Sequence, residues 1–287
     1  MKFAINLPPF VEFSSPPMLA DLAVEAEHAG WDAFFLWDHM IFDPAFNPIA
    51  DVWVALAAMA ARTQRIRLGP MITPMARRRP WVLARQTVSL DRLSQGRLNL
   101  GVGLGDPVQW EFGFFGEATD AKIRAEKLDE GLEILTGLWS GEKFSFQGTH
   151  YQLNEVIFQP TPVQQPRIPI WVGGFWPRKA PFRRAARYDG VVPGKQDGML
   201  TPNDWRDMLA FIASQRTVTT PYDAAHGELL PDNAAQARRR VQEFAEAGVT
   251  WWVQPIDPWT YDNNWMKPWT PAETERMIRL VRQGPPV

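Results

Sequence analysis

The chain has 287 residues, 45% of them hydrophobic and 22% charged, with a formal net charge of -2; the length suits two ordinary domains or one large α/β barrel of about 250 residues, and the charge offers nothing to a nucleic-acid or acidic-membrane partner. It contains no cysteine, which excludes disulfides, thiolate nucleophiles and cysteine-bound zinc or iron–sulfur centres. The first nine residues are too short an apolar stretch for a signal peptide, and no apolar run is long enough to span a bilayer, so the cytoplasm is the expected location.

In chain order, strand and helix patterns alternate. Residues 2–7 read as a strand, and 18–29 as a helix, with Leu19, Leu22, Ala23 and Ala26 at helical spacing and Gly30 as its stop. Ala33-Phe34-Phe35-Leu36-Trp37-Asp38-His39 is an apolar run ending abruptly in a carboxylate and an imidazole. A continuous run of this kind reads as a strand buried on both faces, which a parallel sheet covered by helices requires. Asp38 and His39 then sit at the carboxyl end of that strand, the end whose loops carry the chemistry in barrels and open sheets. Asp51 can N-cap an apolar helix over 52–61, 66–73 forms a third strand, and Pro80 suits the first position of a helix running to Leu93. Gly96 turns into a fourth strand over 97–102.

The fourth unit is the longest. After Gly103-Leu104-Gly105-Asp106 comes a loop rich in Phe and Gly, then a helix over 121–139. Short alternating pieces between Gly141 and Arg167 predict a hairpin laid outside the barrel. A fifth strand over 168–174, a helix over 180–187 and a sixth strand over 189–192 follow. Thr201 can N-cap a helix over 202–214, but 216–231 carries two prolines and no alternation, so the seventh strand is hidden there or lost. A helix over 234–247, a last strand over 249–254 and a last helix over 271–282 complete eight units, one degenerate. This is a single (β/α)8 TIM barrel, one domain over 1–287 with the hairpin region about 141–167 inserted.

Particular residues suggest chemistry. His39 can accept and release a proton near neutrality, its unperturbed pKa being about 6.5; the alternative is that it only caps its strand. Asp38 either bonds a cofactor or substrate hydroxyl or orients His39. Gly103 and Gly105 let backbone approach a flat ligand, although a plain turn also favours Gly and Asp. Gly173-Gly174 expose N–H groups at a helix start, a ready anion site, with Arg178 near enough to pair a phosphate. Arg77-Arg78-Arg79 is a solvated turn or, at this end of the barrel, a reach toward a phosphate. The four histidines, His28, His39, His150 and His226, show no metal-ligand spacing. The 14 Trp and 17 Phe suit an ordinary core first and a flat aromatic ligand second. A pocket containing Trp37, Trp171 and Trp110 or Trp176 would suit a small, largely apolar substrate.

Trp37-Asp38-His39 ending the second strand, the third strand Leu68-Gly69-Pro70-Met71-Ile72-Thr73-Pro74, and Asp91-Arg92-Leu93-Ser94-Gln95-Gly96-Arg97-Leu98-Asn99-Leu100-Gly101-Val102-Gly103 together resemble the bacterial luciferase-like family of flavin-dependent and deazaflavin-dependent oxidoreductases. The stretches 168–174 and 247–252 fit it too, so the resemblance covers essentially the whole chain, weakest over 216–231, and specifies the family better than the substrate. It implies FMN or the deazaflavin coenzyme F-420 as cofactor, undecided between them. It implies His39 as the acid or base beside the reacting carbon, and Asp106 as an acidic residue facing the active site. It implies Gly173-Gly174 at the cofactor phosphate. It also implies a non-proline cis peptide at Pro70-Met71, bulging against the back of the cofactor ring, although an X-Pro bond is intrinsically the easier one to hold cis. The expected protein is an oxidoreductase or monooxygenase acting on a small molecule as a homodimer, with neither nucleic acid nor membrane as partner. The competing reading is a non-catalytic flavin-binding relative or partner subunit. A metal-dependent barrel hydrolase is a distant third.

Overall fold

The structure is a computed structural model and describes residues 1–43, 48–259 and 269–285. Its strands are β1 Lys2–Leu7, β2 Ala33–Leu36, β3 Arg67–Pro70, β4 Thr73–Pro74, β5 Leu100–Gly103, β6 Lys143–Gln147, β7 Gln152–Ile157, β8 Ile170–Trp176, β9 Gly190–Lys195, β10 Asp223–Gly227 and β11 Trp251–Pro255. Its helices are α1 Pro16–Ala29, α2 Val52–Arg62, α3 Pro80–Leu93, α4 Val108–Glu111, α5 Ala121–Trp139, α6 Lys179–Ala185, α7 Pro202–Gln215, α8 Ala234–Glu246 and α9 Pro271–Gln283.

Nine strands form one sheet in the order β3-β2-β1-β11-β10-β9-β8-β5-β4, and every pairing in it is parallel. Because β3 and β4 are two pieces of one path, the sheet returns on itself as an α/β TIM barrel of eight staves. The seam closes at Leu68, whose N–H donates to the Arg97 carbonyl at 3.0 Å and whose carbonyl accepts from the Asn99 N–H at 2.8 Å. Among the described residues no helix is long and apolar enough to cross a membrane.

Local chemistry sets the helix ends. Asp51 accepts from the N–H groups of Trp53 and Val54, both at 2.9 Å; Asp120 and Asn233 do the same for α5 and α8. Thr201 with Asp204 and Thr270 with Glu273 form capping boxes. Gly30 ends α1 at φ 93°, a conformation that costs glycine least. The β6–β7 hairpin is antiparallel, and carboxylates of the barrel helices tie its turn and the segment that follows it. Glu130 accepts from the backbone of Thr149, His150 and Tyr151, while fully buried Asp91 accepts from Val163 and Gln164.

Two departures from expectation have physical causes. The third strand is broken, and its non-proline cis bond is Met71-Ile72, not Pro70-Met71. Ladder pairing continues through residue 71, whose N–H donates to the Leu36 carbonyl at 2.8 Å, so the chain leaves the ladder one residue later. The seventh strand is Asp223–Gly227, inside the irregular stretch. It carries little apolar bulk because large rings from neighbouring strands already fill the barrel interior there. Trp171 and Trp251 occupy it, and both indole N–H groups donate to the Asp223 carboxylate, at 3.2 and 2.9 Å. With Ala4, Ala33, Phe35, Met71, Ala225 and Val253 they form the interior core; a second, larger core lies between sheet and helices.

Candidate active site

The apolar run of β2 stays buried up to Leu36, and Asp38 and His39 emerge from it at the carboxyl-terminal mouth of the barrel. Asp38, 3% exposed, collects three donors. Thr73 Oγ1 lies at 2.8 Å, Arg77 Nη2 at 2.5 Å, and Arg78 Nη2 at 2.8 Å from each carboxylate oxygen. Asp38 is therefore an ion-pair anchor for the turn after β4; among the described residues its hydrogen bonds go to Thr73, Arg77 and Arg78, and none goes to His39. Arg77 and Arg78 of the basic run turn inward onto carboxylates, whereas Arg79 lies over Trp81 at 5.8 Å.

The partner of His39 is Glu111, which the sequence reading did not single out. Its carboxylate is fully buried and accepts from Nδ1 of His39 at 2.8 Å and from the Met40 N–H at 3.2 Å, while its other oxygen pairs with Arg77. A carboxylate accepting at Nδ1 leaves Nε2 of a neutral imidazole as a lone-pair acceptor. Burial pushes the His39 imidazole down to about 4; the Arg77 charge adds to this, and the Asp38 and Asp106 carboxylates oppose it. At neutral pH the ring is thus an uncharged base. No local pattern in the sequence marks Glu111: the two arginines turn into the barrel mouth only in the fold, and there Asp38 and Glu111 are the carboxylates that face them.

The loop that delivers Glu111 is itself pinned. Gly105 adopts φ 83°, and a Cβ there would lie 2.8 Å from Pro74 and 2.9 Å from Phe112. Arg124, 5% exposed, donates to the carbonyls of Leu104 and Gly105 at 2.8 and 2.9 Å. Asp106 is exposed and acts on His39 through space.

Around His39 stand Phe42, Trp37 and Phe10, with ring centroids 5.1, 5.7 and 5.8 Å away. Trp259 packs on Trp37 and Phe42, and Trp110 on Phe42. Of the four tryptophans expected to line a pocket, Trp37 and Trp110 belong to this cluster. Trp171 is fully buried in the interior core, and Trp176 packs on Phe182 at 5.2 Å under Lys179.

The glycines serve packing more than display. Gly173 and Gly174 are paired with Val192 and Pro193 inside β8, and α6 begins only at Lys179, so they do not stand at a helix start. A Cβ on Gly103 or Gly173 would fall 2.2 or 2.5 Å from Cδ1 of Ile72, and one on Gly174 would fall 2.2 Å from Pro181. Their smallness admits the Ile72 side chain into the barrel and α6 onto the strand. Arg178 is exposed and donates to Gln196 Oε1 at 2.7 Å. Asn6 faces the interior by the alternation that puts Ala4 in the interior core and Ile5 and Leu7 in the outer one; its Oδ1 is buried with no hydrogen-bond partner.

Comparison with known proteins places this geometry. An F420-dependent glucose-6-phosphate dehydrogenase of Microbacterium testaceum is 34% identical over 166 residues, 56% of this chain and 48% of that protein; the chain spans about half the length of the curated relatives it matches. The fold is shared with the coenzyme F420 dependent tetrahydromethanopterin reductase of Methanopyrus kandleri, at a TM-score of 0.74 and 19% identity, covering 98% of this chain and 97% of that one. It is shared equally with an F420-dependent secondary alcohol dehydrogenase in complex with an F420-acetone adduct, at 0.74 and 17% identity over 90% and 94%. A family model described as luciferase-like monooxygenase matches residues 1–249, a span that takes in His39, Asp38, Arg77 and Glu111, and the chain therefore belongs to the luciferase-like monooxygenase family.

Proposed function

We propose that the protein is a flavin- or deazaflavin-dependent oxidoreductase, using FMN or coenzyme F-420 to transfer hydride or activate oxygen on a small, largely apolar substrate. The observation that carries this reading is the neutral His39, fixed by Glu111 and walled by aromatic rings at the mouth of the barrel. The residues present fit a flat, polar-edged ring. Asn6 brings an unpartnered acceptor to the mouth, and the backbone of Pro70 and Met71, entering the break between β3 and β4, offers a surface for the ring to lie on. Arg178, a few residues after Gly173-Gly174, is exposed and among the described residues its guanidinium bonds a neutral amide, which supports its pairing with a cofactor phosphate. When bound, the cofactor supplies the hydride or the oxygen chemistry.

The chain's own contribution is proton handling and exclusion of water. Nε2 of His39 can take the proton of a substrate hydroxyl as it is oxidised, or hold one for a carbonyl oxygen as it is reduced. Asp38 and Asp106 bias the ring electrostatically. The aromatic wall keeps the imidazole desolvated and accommodates apolar substrate surface.

Titration of the purified protein with FMN and with F-420 should quench its tryptophan fluorescence with at least one of them. Absence of quenching by both at saturation would remove the reading. Because His39 is held neutral down to about pH 4, the acid limb of kcat/KM should fall near pH 4. A limb at about 6.5, the ordinary imidazole value, would show that a different group carries the proton. The cytoplasm remains the proposed location. A homodimer without nucleic acid remains the proposed assembly, supported by exposed Val54 and Val82 on the neighbouring helices α2 and α3; sedimentation at the monomer mass would overturn the dimer.

A further inference from the structure

We propose that Arg77 is a positioning residue, a guanidinium bridge that holds Glu111 as the ionised partner of His39 and so keeps Nε2 free for the reaction. This deepens the proposed function and rests on its reading of His39 as the proton carrier.

The argument begins with surplus. Asp38 is already matched without Arg77, because Arg78 reaches both of its oxygens at 2.8 Å and Thr73 donates to one at 2.8 Å. Among the described residues Glu111 has no such second cation: its partners are the His39 ring, the Met40 N–H and Arg77. A carboxylate with no solvent exposure is costly to keep charged unless a cation faces it. Arg77, its side chain 7% exposed, is that cation, and its fork spans two carboxylates from different elements, one following β2 and one ending α4.

The charged groups around His39 are Asp38 on its own segment, Glu111 from α4, Asp106 from the loop after β5, and Arg77 beyond β4 with Arg78 behind it; Phe10, Trp37 and Phe42 close the remaining sides. Without the Arg77 charge, Glu111 has two ways to lower its cost. It can draw a proton onto His39, making an imidazolium–carboxylate pair, or it can take a proton itself and donate it to Nδ1, which leaves the hydrogen on Nε2. Each removes the lone pair from Nε2.

The test is a nitrogen-15 NMR titration of the imidazoles in cofactor-free protein, with the His39 signal identified by its loss in His39→Asn. Wild type should show a neutral ring at pH 7 with its proton on Nδ1. In Arg77→Met the wild-type pattern should be lost: either the titration midpoint rises by about one pH unit or more, a tenfold gain in proton affinity, or the proton appears on Nε2 at pH 7. Should Arg77→Met fail to fold, Arg77→Gln, which keeps a donor and removes only the charge, should show the same loss. A folded variant of either kind that keeps the wild-type tautomer and midpoint would overturn the proposal. The measurement uses no cofactor, so failure of flavin binding and failure of the Arg77 role are separate results.

Discussion

Replacing His39 with alanine should lower turnover by roughly 10²–10⁴-fold, the range expected for loss of a positioned acid or base, while cofactor affinity stays within about twofold. The separation follows from the geometry. Among the described residues the His39 ring makes its one hydrogen bond through Nδ1, to Glu111, and the aromatic wall stands on Phe10, Trp37, Phe42 and Trp259, which pack on one another without it. Removing the ring therefore deletes the Nε2 lone pair and leaves the walls in place. Glu111 keeps Arg77 and the Met40 N–H, so the buried carboxylate is not orphaned and the variant should fold. Steady-state turnover measured beside fluorescence titration of the cofactor decides the matter. Equal losses in both would make His39 a binding residue, and unchanged turnover would move the proton chemistry elsewhere. Asp106→Asn should cost much less, because Asp106 is exposed and touches the ring only through its field.

What the sequence reveals of this site follows the reach of its interactions. Asp38 and His39 are legible because a buried strand ending abruptly in two polar residues is a local pattern, readable within one window. Glu111 is not, because what makes it functional is an arginine 34 positions earlier and a histidine 72 earlier, both brought to it by barrel closure. The arginine run misleads for the same reason: as sequence it is a wet turn, and only the fold turns Arg77 and Arg78 inward. Gly173-Gly174 is legible as a special pair, but the reason is inverted, since the space its missing side chains leave is taken by Ile72 and Pro181. In the fold itself, capped helices and apolar strands announce themselves. The seventh strand is silent, because beside Trp171 and Trp251 the interior takes only the Asp223 carboxylate and the small side chain of Ala225. A strand whose neighbours are oversized must itself be small, and smallness in sequence looks like a loop.

The same accounting of space predicts the most damaging small substitution in the chain. Gly69 lies in β3 at the seam where the barrel closes, and a methyl group there would sit 1.8 Å from the Asn99 carbonyl oxygen and 2.9 Å from its carbon. Overpacking usually costs about 1–3 kcal/mol, because side chains can swing aside. Here the obstacle is backbone, and it is held: the Asn99 N–H donates to the Leu68 carbonyl at 2.8 Å, and the Leu68 N–H to Arg97 at 3.0 Å. Yielding means opening those bonds, each worth about 0.5–1.5 kcal/mol net, and shifting β3, whose continuation carries Met71, Ile72 and then Thr73, the donor to Asp38. Gly69→Ala should therefore lose roughly 3 kcal/mol or more of stability, or not accumulate as folded protein at all. Gly227→Ala is the control, since a Cβ at that strand end meets only the Val253 carbonyl at 3.9 Å, an ordinary contact; it should change stability by less than about 1 kcal/mol. Urea unfolding of the two variants side by side is the measurement, and a Gly69→Ala midpoint equal to that of Gly227→Ala would show that the barrel does not close at Leu68 in the way that positions the site.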